Sequence, residues 1–119
     1  MRMTIRWAGL AVLAAAGVAQ AHHGWSSYDE AKVMTLTGVI RASTYEMPHG
    51  TIELEVEKPA AKTWHVVLAP PSRMKSRGLP AEELKVGTEA TVVAYPSKEK
   101  PEECRAERIT IAGKTTELR

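Results

Sequence analysis

An all-β fold with one short helical segment is what this sequence predicts, and three observations carry that expectation. Residues 51–57 alternate strictly: Ile52, Leu54 and Val56 fall on one face, and Glu53, Glu55 and Glu57 on the other. That period of two is the mark of a half-buried strand. Residues 63–69 repeat it with Trp64, Val66 and Leu68. Pro70-Pro71 then breaks the pattern ahead of a stretch with helical features, and two further strand patterns follow at 88–95 and 104–111.

The remaining elements follow from the same reading. Residues 33–41 form the first strand pattern, with Met34, Leu36 and Ile40 on one face and Gly38 between them. A glycine inside a strand marks a bulge or a tight bend. Residues 45–50, Tyr45 to Gly50, read as a turn, because Pro48 and Gly50 flank a single residue. Residues 72–77 suit a short helix capped by Ser72. Residues 79–84 suit a second helical turn, with Pro80 at its first position and Glu82 and Glu83 toward its positive end. The fifth strand alternates imperfectly, which suggests a bulge. Residues 114–119 read as a short tail. Three strands, a helical segment and two strands match a five-stranded OB-like barrel with the helix between strands 3 and 4. A small sandwich or open sheet is the competing architecture.

Residues 1–21 have the three zones of an export signal. Arg2 and Arg6 give a positive start, an uncharged apolar run of about a dozen residues follows, and Ala19-Gln20-Ala21 supplies a small-x-small cleavage pattern. The run is shorter than the roughly 20 residues that a membrane-spanning helix needs, so no span is expected after cleavage. The expected organisation is a signal peptide over 1–21 and one barrel domain over 22–119, working in the periplasm or otherwise outside the cytoplasm. Arg2 and Arg6 leave with the signal, so the 16 basic residues of the chain fall to 14, equal to its 14 acidic ones. A balanced domain lacks the electrostatic footprint of a nucleic-acid binder. Cys104 is the one cysteine and has no internal disulfide partner; it reads as a strand residue. No nucleophile motif such as Gly-x-Ser-x-Gly is present, so an enzyme is not expected; a copper-dependent redox protein is the alternative within that class.

The residues that could carry chemistry are histidines. Cleavage after Ala21 makes His22 the first residue, and its α-amine and imidazole can then chelate one metal ion. Amine and imidazole nitrogens suit Cu(II), both by ligand type and by the order of affinities along the first-row metals. His49, held in the Met47-Pro48-His49 turn, is the leading third ligand. His23 is next, and His65 is weaker because it lies on the outward face of its strand. Met47 is the one methionine kept as a soft-ligand candidate. Arg73, Lys75 and Arg77 form a basic cluster that reads as a solvated face, with an anion or partner patch as the minor alternative. The metal set is therefore His22, His23 and His49, with copper as the expected cofactor.

An N-terminal histidine clamp resembles the copper brace of lytic polysaccharide monooxygenases and of some copper-carrying periplasmic proteins. That likeness covers the first residue alone and implies a ligand geometry, not an activity. Over nearly all of 21–119 the chain resembles a family of small exported bacterial proteins known only as a domain of unknown function. The residues that carry this are Ala21-His22-His23-Gly24-Trp25-Ser26, Leu36-Thr37-Gly38, Pro48-His49, Trp64 with Val66, Pro71-Ser72-Arg73-Met74, Arg77-Gly78-Leu79, Val86-Gly87, Tyr95-Pro96-Ser97 and Arg105-Ala106. Where that family has Asn-Pro-His, this chain has Met47-Pro48-His49. The resemblance implies export and a small β-barrel and brings no activity with it. Two function classes remain: a periplasmic copper-binding protein, and an envelope module that holds a protein or small ligand in an OB-like groove without metal.

Overall fold

In the computed structural model the described residues are 24–119. The expected signal segment, His22 and His23 lie outside them. Six strands form one sheet, closed into a barrel: β1 Met34–Thr44, β2 Thr51–Val56, β3 Lys62–Val67, β4 Glu89–Pro96, β5 Glu103–Ile111 and β6 Lys114–Glu117. A short helix, α1 Pro71–Ser76, and a 3₁₀ turn, Ala81–Leu84, lie between β3 and β4. The sheet runs β3-β2-β1-β4-β5-β6, and a parallel pairing of β3 with β5 closes the first five strands into a ring. This is the expected OB-like barrel, with the helix where the sequence places it.

β1 divides its length between two neighbours. Residues Met34 to Val39 pair with β4, and Gly38 to Thr44 pair with β2. The strand must bend where the two ladders overlap, and Gly38 sits there, opposite both Val56 and Ala90. A Cβ on Gly38 would lie 2.2 Å from the Glu55 carbonyl oxygen. The glycine is thus required by the close approach of β2. The bulge lies three residues further on, where Arg41 is the extra residue between Ile40 and Ala42.

The alternating faces predicted from sequence point inward. Ile52, Leu54, Val56, Val66 and Leu68 are buried, Trp64 is 9% exposed, and all belong to one core with Leu36, Ile40, Val92 and Ile109. β5 carries the expected bulge. Val93 pairs with Arg108 and Ala94 with Ala106, which leaves Glu107 as the extra residue. Cys104 points into this core with no exposed surface. Burial pushes its thiol up to about 12, so the reactive thiolate is scarce at pH 8. Maleimide is therefore expected to label Cys104 fully in urea and hardly at all in native buffer. Equal labelling rates in the two conditions would contradict a closed core.

Three expectations need correction. The helix starts one residue early, at Pro71, with Pro70 as its cap and no side-chain capping bond from Ser72. Proline suits that first position because its missing N–H would be unsatisfied there anyway. Pro80 is the cap of the 3₁₀ turn and not its first residue. The segment read as a tail is β6, which returns along β5 through Ala112 and Gly113. Their φ values of 50° and 80° are those of a two-residue type I′ hairpin, whose twist matches the strands. β5 thus gives its start, Glu103 to Arg105, to β3 and its end, Arg108 to Ile111, to β6.

The basic cluster is also not simply a solvated face. Arg73 donates to the Leu118 carbonyl at 3.0 Å, and Arg77 donates to the Glu117 and Arg119 carbonyls at 2.7 and 3.2 Å. These bonds satisfy carbonyls along and just beyond β6, at the edge of the sheet, where unpaired groups otherwise invite another strand.

Candidate functional site: an imidazole-lined cleft on the barrel face

The β1–β2 turn is fastened to the end of β3. Gly50 donates to the Ala69 carbonyl at 2.9 Å and accepts from Leu68 at 2.8 Å. Its missing side chain leaves room for Met74, whose Cε would be 2.6 Å from a Cβ there. Tyr45, at the other side of the turn, donates its hydroxyl to the Leu79 carbonyl at 2.5 Å. His49 is therefore presented by a turn tied down on both flanks. Met47 projects to solvent, 72% exposed, and makes no part of the packing.

His49 is half-buried against Arg105, which is only 5% exposed. The Arg105 Nη2 stands 3.2 Å from the His49 Nε2. A guanidinium only donates, so Nε2 accepts and the ring is neutral with its proton on Nδ1. Burial pulls the Arg105 pKa down from its ordinary value. The same guanidinium lies over the Trp25 ring, 4.3 Å from its centroid, and Arg119 lies over that ring at 4.2 Å. Tyr28 and Tyr95 meet Trp25 edge-on at 6.5 and 6.0 Å. Such edge-on and cation–π contacts anchor an aromatic side chain firmly.

The backbone around Trp25 is pinned as well. Lys98 donates to Ser27 at 3.0 Å and Asp29 to Pro96 at 2.8 Å, with a bridge between Tyr28 and Ser97. The Tyr28 hydroxyl donates to Glu103 at 2.6 Å. Its pKa is pushed well up, first by burial and then by that bond. The segment entering the barrel is thereby sewn onto the β4–β5 loop, beside Arg105 and His49.

Outside the barrel, the β1–β2 turn, β2, β3 and the β4–β5 loop enclose a cleft of about 250 Å³, lined by Pro48, His49, Thr51, His65, Lys100 and Glu103 among others. The face of strands 2 and 3, flanked by these two loops, is where OB barrels hold their ligands. His65 reaches it from β3. It stands opposite Glu53 on β2, and its Nδ1 lies 2.5 Å from Glu53 Oε2. The outward face of β3, which made His65 the weaker candidate, is therefore the face of the cleft.

Of the residues singled out from sequence, His49 is at the cleft, and His65 joins it. His22 and His23 lie outside the described residues. Among the described residues, no three His, Cys, Asp or Glu side chains come together as a metal site. Sequence reasoning missed Trp25 and Arg105 as a pair. No local signal marks the pair: Arg105 lies in a charged stretch with Glu102, Glu103, Glu107 and Arg108 around it. No helix among the described residues is long and apolar enough to cross a membrane.

A small OB-like barrel with a polar, imidazole-bearing cleft on the face of β2 and β3 is the class these features define. The chain belongs to DUF6152, a family of unknown function, whose model matches residues 10–105. Nothing among curated proteins matches it.

Proposed function

We propose that this is an exported, periplasmic binding protein that holds Cu(II) through an N-terminal histidine clamp, His22, with His49 as third ligand and His23 as the next candidate. The observation that carries this reading is the anchoring of Trp25. That residue stacks on Arg105, which touches His49, and His22 lies three residues before it. A three-residue stretch spans up to about 10 Å, so His22 stays near the Trp25 anchor. The pinned loop supplies preorganisation, which lowers the ordering cost of assembling the ligands. His49 would offer Nε2 to the ion once the Arg105 N–H is released, and the ring would keep its Nδ1 proton.

The contact between Arg105 and His49 also favours the second reading, an envelope module that binds a protein or small ligand in the groove with no metal. In that reading the guanidinium already satisfies the imidazole. Calorimetry and electron spin resonance with Cu(II) separate the two. The samples are mature protein, shown by intact mass to begin at His22, the same protein with one extra N-terminal glycine, and His49→Ala. The extra residue abolishes the chelate and keeps every side chain. It is expected to weaken binding at least tenfold, about 1.4 kcal/mol, and to change the spectrum. Unchanged affinity and spectrum in the extended protein would make the groove the better reading.

A further inference from the structure

We propose that the open edge of β1 takes up an extended peptide of alternating apolar and basic residues, adding a strand where β2 leaves the ladder. β1 pairs with β4 over Met34 to Val39 but with β2 only from Gly38 onward. Met34, Thr35 and Leu36 therefore have a paired strand on one side alone. Along a regular antiparallel strand, successive residues turn their backbone N–H and C=O to opposite edges. Ile40 turns its pair toward β4, donating to the Thr88 carbonyl at 2.9 Å and accepting from Gly87 at 2.8 Å. The strand runs without a bulge from Met34 to Ile40. Counting back by twos, Gly38, Leu36 and Met34 face β4, and Thr35 faces the open edge. Among the described residues no backbone group bonds to Thr35 from that side. Such an edge is a template for a further strand, the mode by which many domains hold extended peptides.

The two faces of this edge differ in chemistry, and the difference defines the occupant. On the inner face, Met34, Leu36 and Trp64 meet Pro59 and Ala60 of the β2–β3 loop around a space of about 300 Å³, walled mostly by carbon. On the outer face, Thr35 borders a space of about 500 Å³ that also has Glu55, Glu57 and Glu89 around it, against the single cation of Lys58. Arg41 pairs with Glu55 at 2.5 Å. Glu57 and Glu89 form no ion pair among the described residues. Directly opposed residues of an antiparallel pair point to the same face. A residue opposite Met34 or Leu36 thus enters the carbon-walled space. The one between them, opposite Thr35, lies on the outer face with the carboxylates. Apolar side chains suit the first positions and lysine or arginine the second. A second copy of this chain, pairing β1 to β1, is the competing occupant; its outward residues there are Thr35 and Thr37, which bring no cation to Glu57 and Glu89. The surface shares no lining residue with the cleft of His49.

The probe is the hexapeptide acetyl-Lys-Val-Lys-Val-Lys-Val-amide, titrated into nitrogen-15-labelled protein and followed by amide shifts. The expected result is saturable shifts centred on Thr35 and on the Trp64 indole, with the His49 turn unmoved. Glutamate in place of the lysines is expected to weaken binding at least about tenfold, because like charges then meet. The basic residue opposite Thr35 exchanges both backbone bonds with it. N-methylation of the lysine amides should therefore weaken binding at least about tenfold, and N-methylation of the valine amides should spare it. The Glu57→Lys, Glu89→Lys double variant changes two exposed side chains and is expected to reverse the preference, taking the glutamate peptide over the lysine one. No shift at Thr35 with the lysine peptide overturns the proposal, and so does equal weakening by the two methylated peptides or an unreversed preference in the double variant. Shifts at Thr35 that follow protein concentration, with a dimer seen by sedimentation, would assign the edge to a second copy and also overturn it.

Discussion

Trp64→Ala is expected to destabilise the barrel by about 3–5 kcal/mol, the usual cost of truncating a buried aromatic. Trp64 is 9% exposed, faces the core from β3, and stands opposite Leu54 on β2. Its ring also carries the Lys62 ammonium at 3.6 Å, a contact worth about 0.5–1 kcal/mol at a surface. Truncation therefore loses both the burial and the cover that Lys62 gives. A domain of this size has a total stability of about 5–15 kcal/mol, so the variant approaches the unfolding threshold at ambient temperature. Urea titration with a linear extrapolation measures the change. A loss under 1 kcal/mol would mean that Trp64 does not fill the core as described.

Gly38→Ala is expected to cost at least about 3 kcal/mol, although it adds a single methyl group. Two effects compete. Replacing glycine lowers the entropy of the unfolded chain and stabilises by about 0.4–1 kcal/mol when the site has room. Here the new Cβ would stand 2.2 Å from the Glu55 oxygen, 2.8 Å from the Glu55 carbonyl carbon and 2.9 Å from Val56. The nearest atoms are backbone of the paired strand, so they yield only if β1 and β2 separate. Overpacking of a rigid site commonly costs about 1–3 kcal/mol and occasionally more. Both ladders of β1 meet at this residue, which places it at the upper end. A Gly38→Ala variant within 1 kcal/mol of the parent protein would show that β1 and β2 are further apart than this structure has them.

Much of the barrel is legible in the sequence because residues 51–57 alternate without exception and 63–66 begin the same way. Ile52/Leu54/Val56 and Trp64/Val66/Leu68 each declare a single inward face, and Pro70-Pro71 marks where strand gives way to helix. β6 was not legible for two physical reasons. Its turn is Ala112-Gly113, and alanine at a positive φ gives no turn signal. Its residues Lys114 to Glu117 are polar, and among them only Thr116 is buried. That strand is held through pairing with β5 and through the arginines of the α1 region, neither of which a local pattern reports. The same reason explains the basic cluster, whose carbonyl partners lie some forty residues away in sequence.

The candidate site was legible in part. Pro48-His49 stands out as a restrained histidine, and the structure puts it in a fastened turn. His65 reads as the weaker candidate because it points away from the core, and that direction is right; the outward face at that point is the β2–β3 face, the one OB barrels use for their ligands. Only the pairing of β2 with β3, and the closure of β3 onto β5, brings His65, Glu53, Lys100 and Glu103 to one place. Trp25 and Arg105 are eighty residues apart, and their contact depends on the entering segment being tied to the β4–β5 loop. Tertiary closure, not local sequence, makes that part of the site.

In the proposed function His22 and His49 meet at one metal ion. A crystal structure of mature protein beginning at His22, grown with one equivalent of Cu(II), tests it most directly. The expected result is a single ion bound by the His22 amine and imidazole and by the His49 ring at Nε2, with Arg105 turned off that nitrogen. An ion bound elsewhere, or His22 directed away from the cleft with Arg105 still on His49, would contradict it.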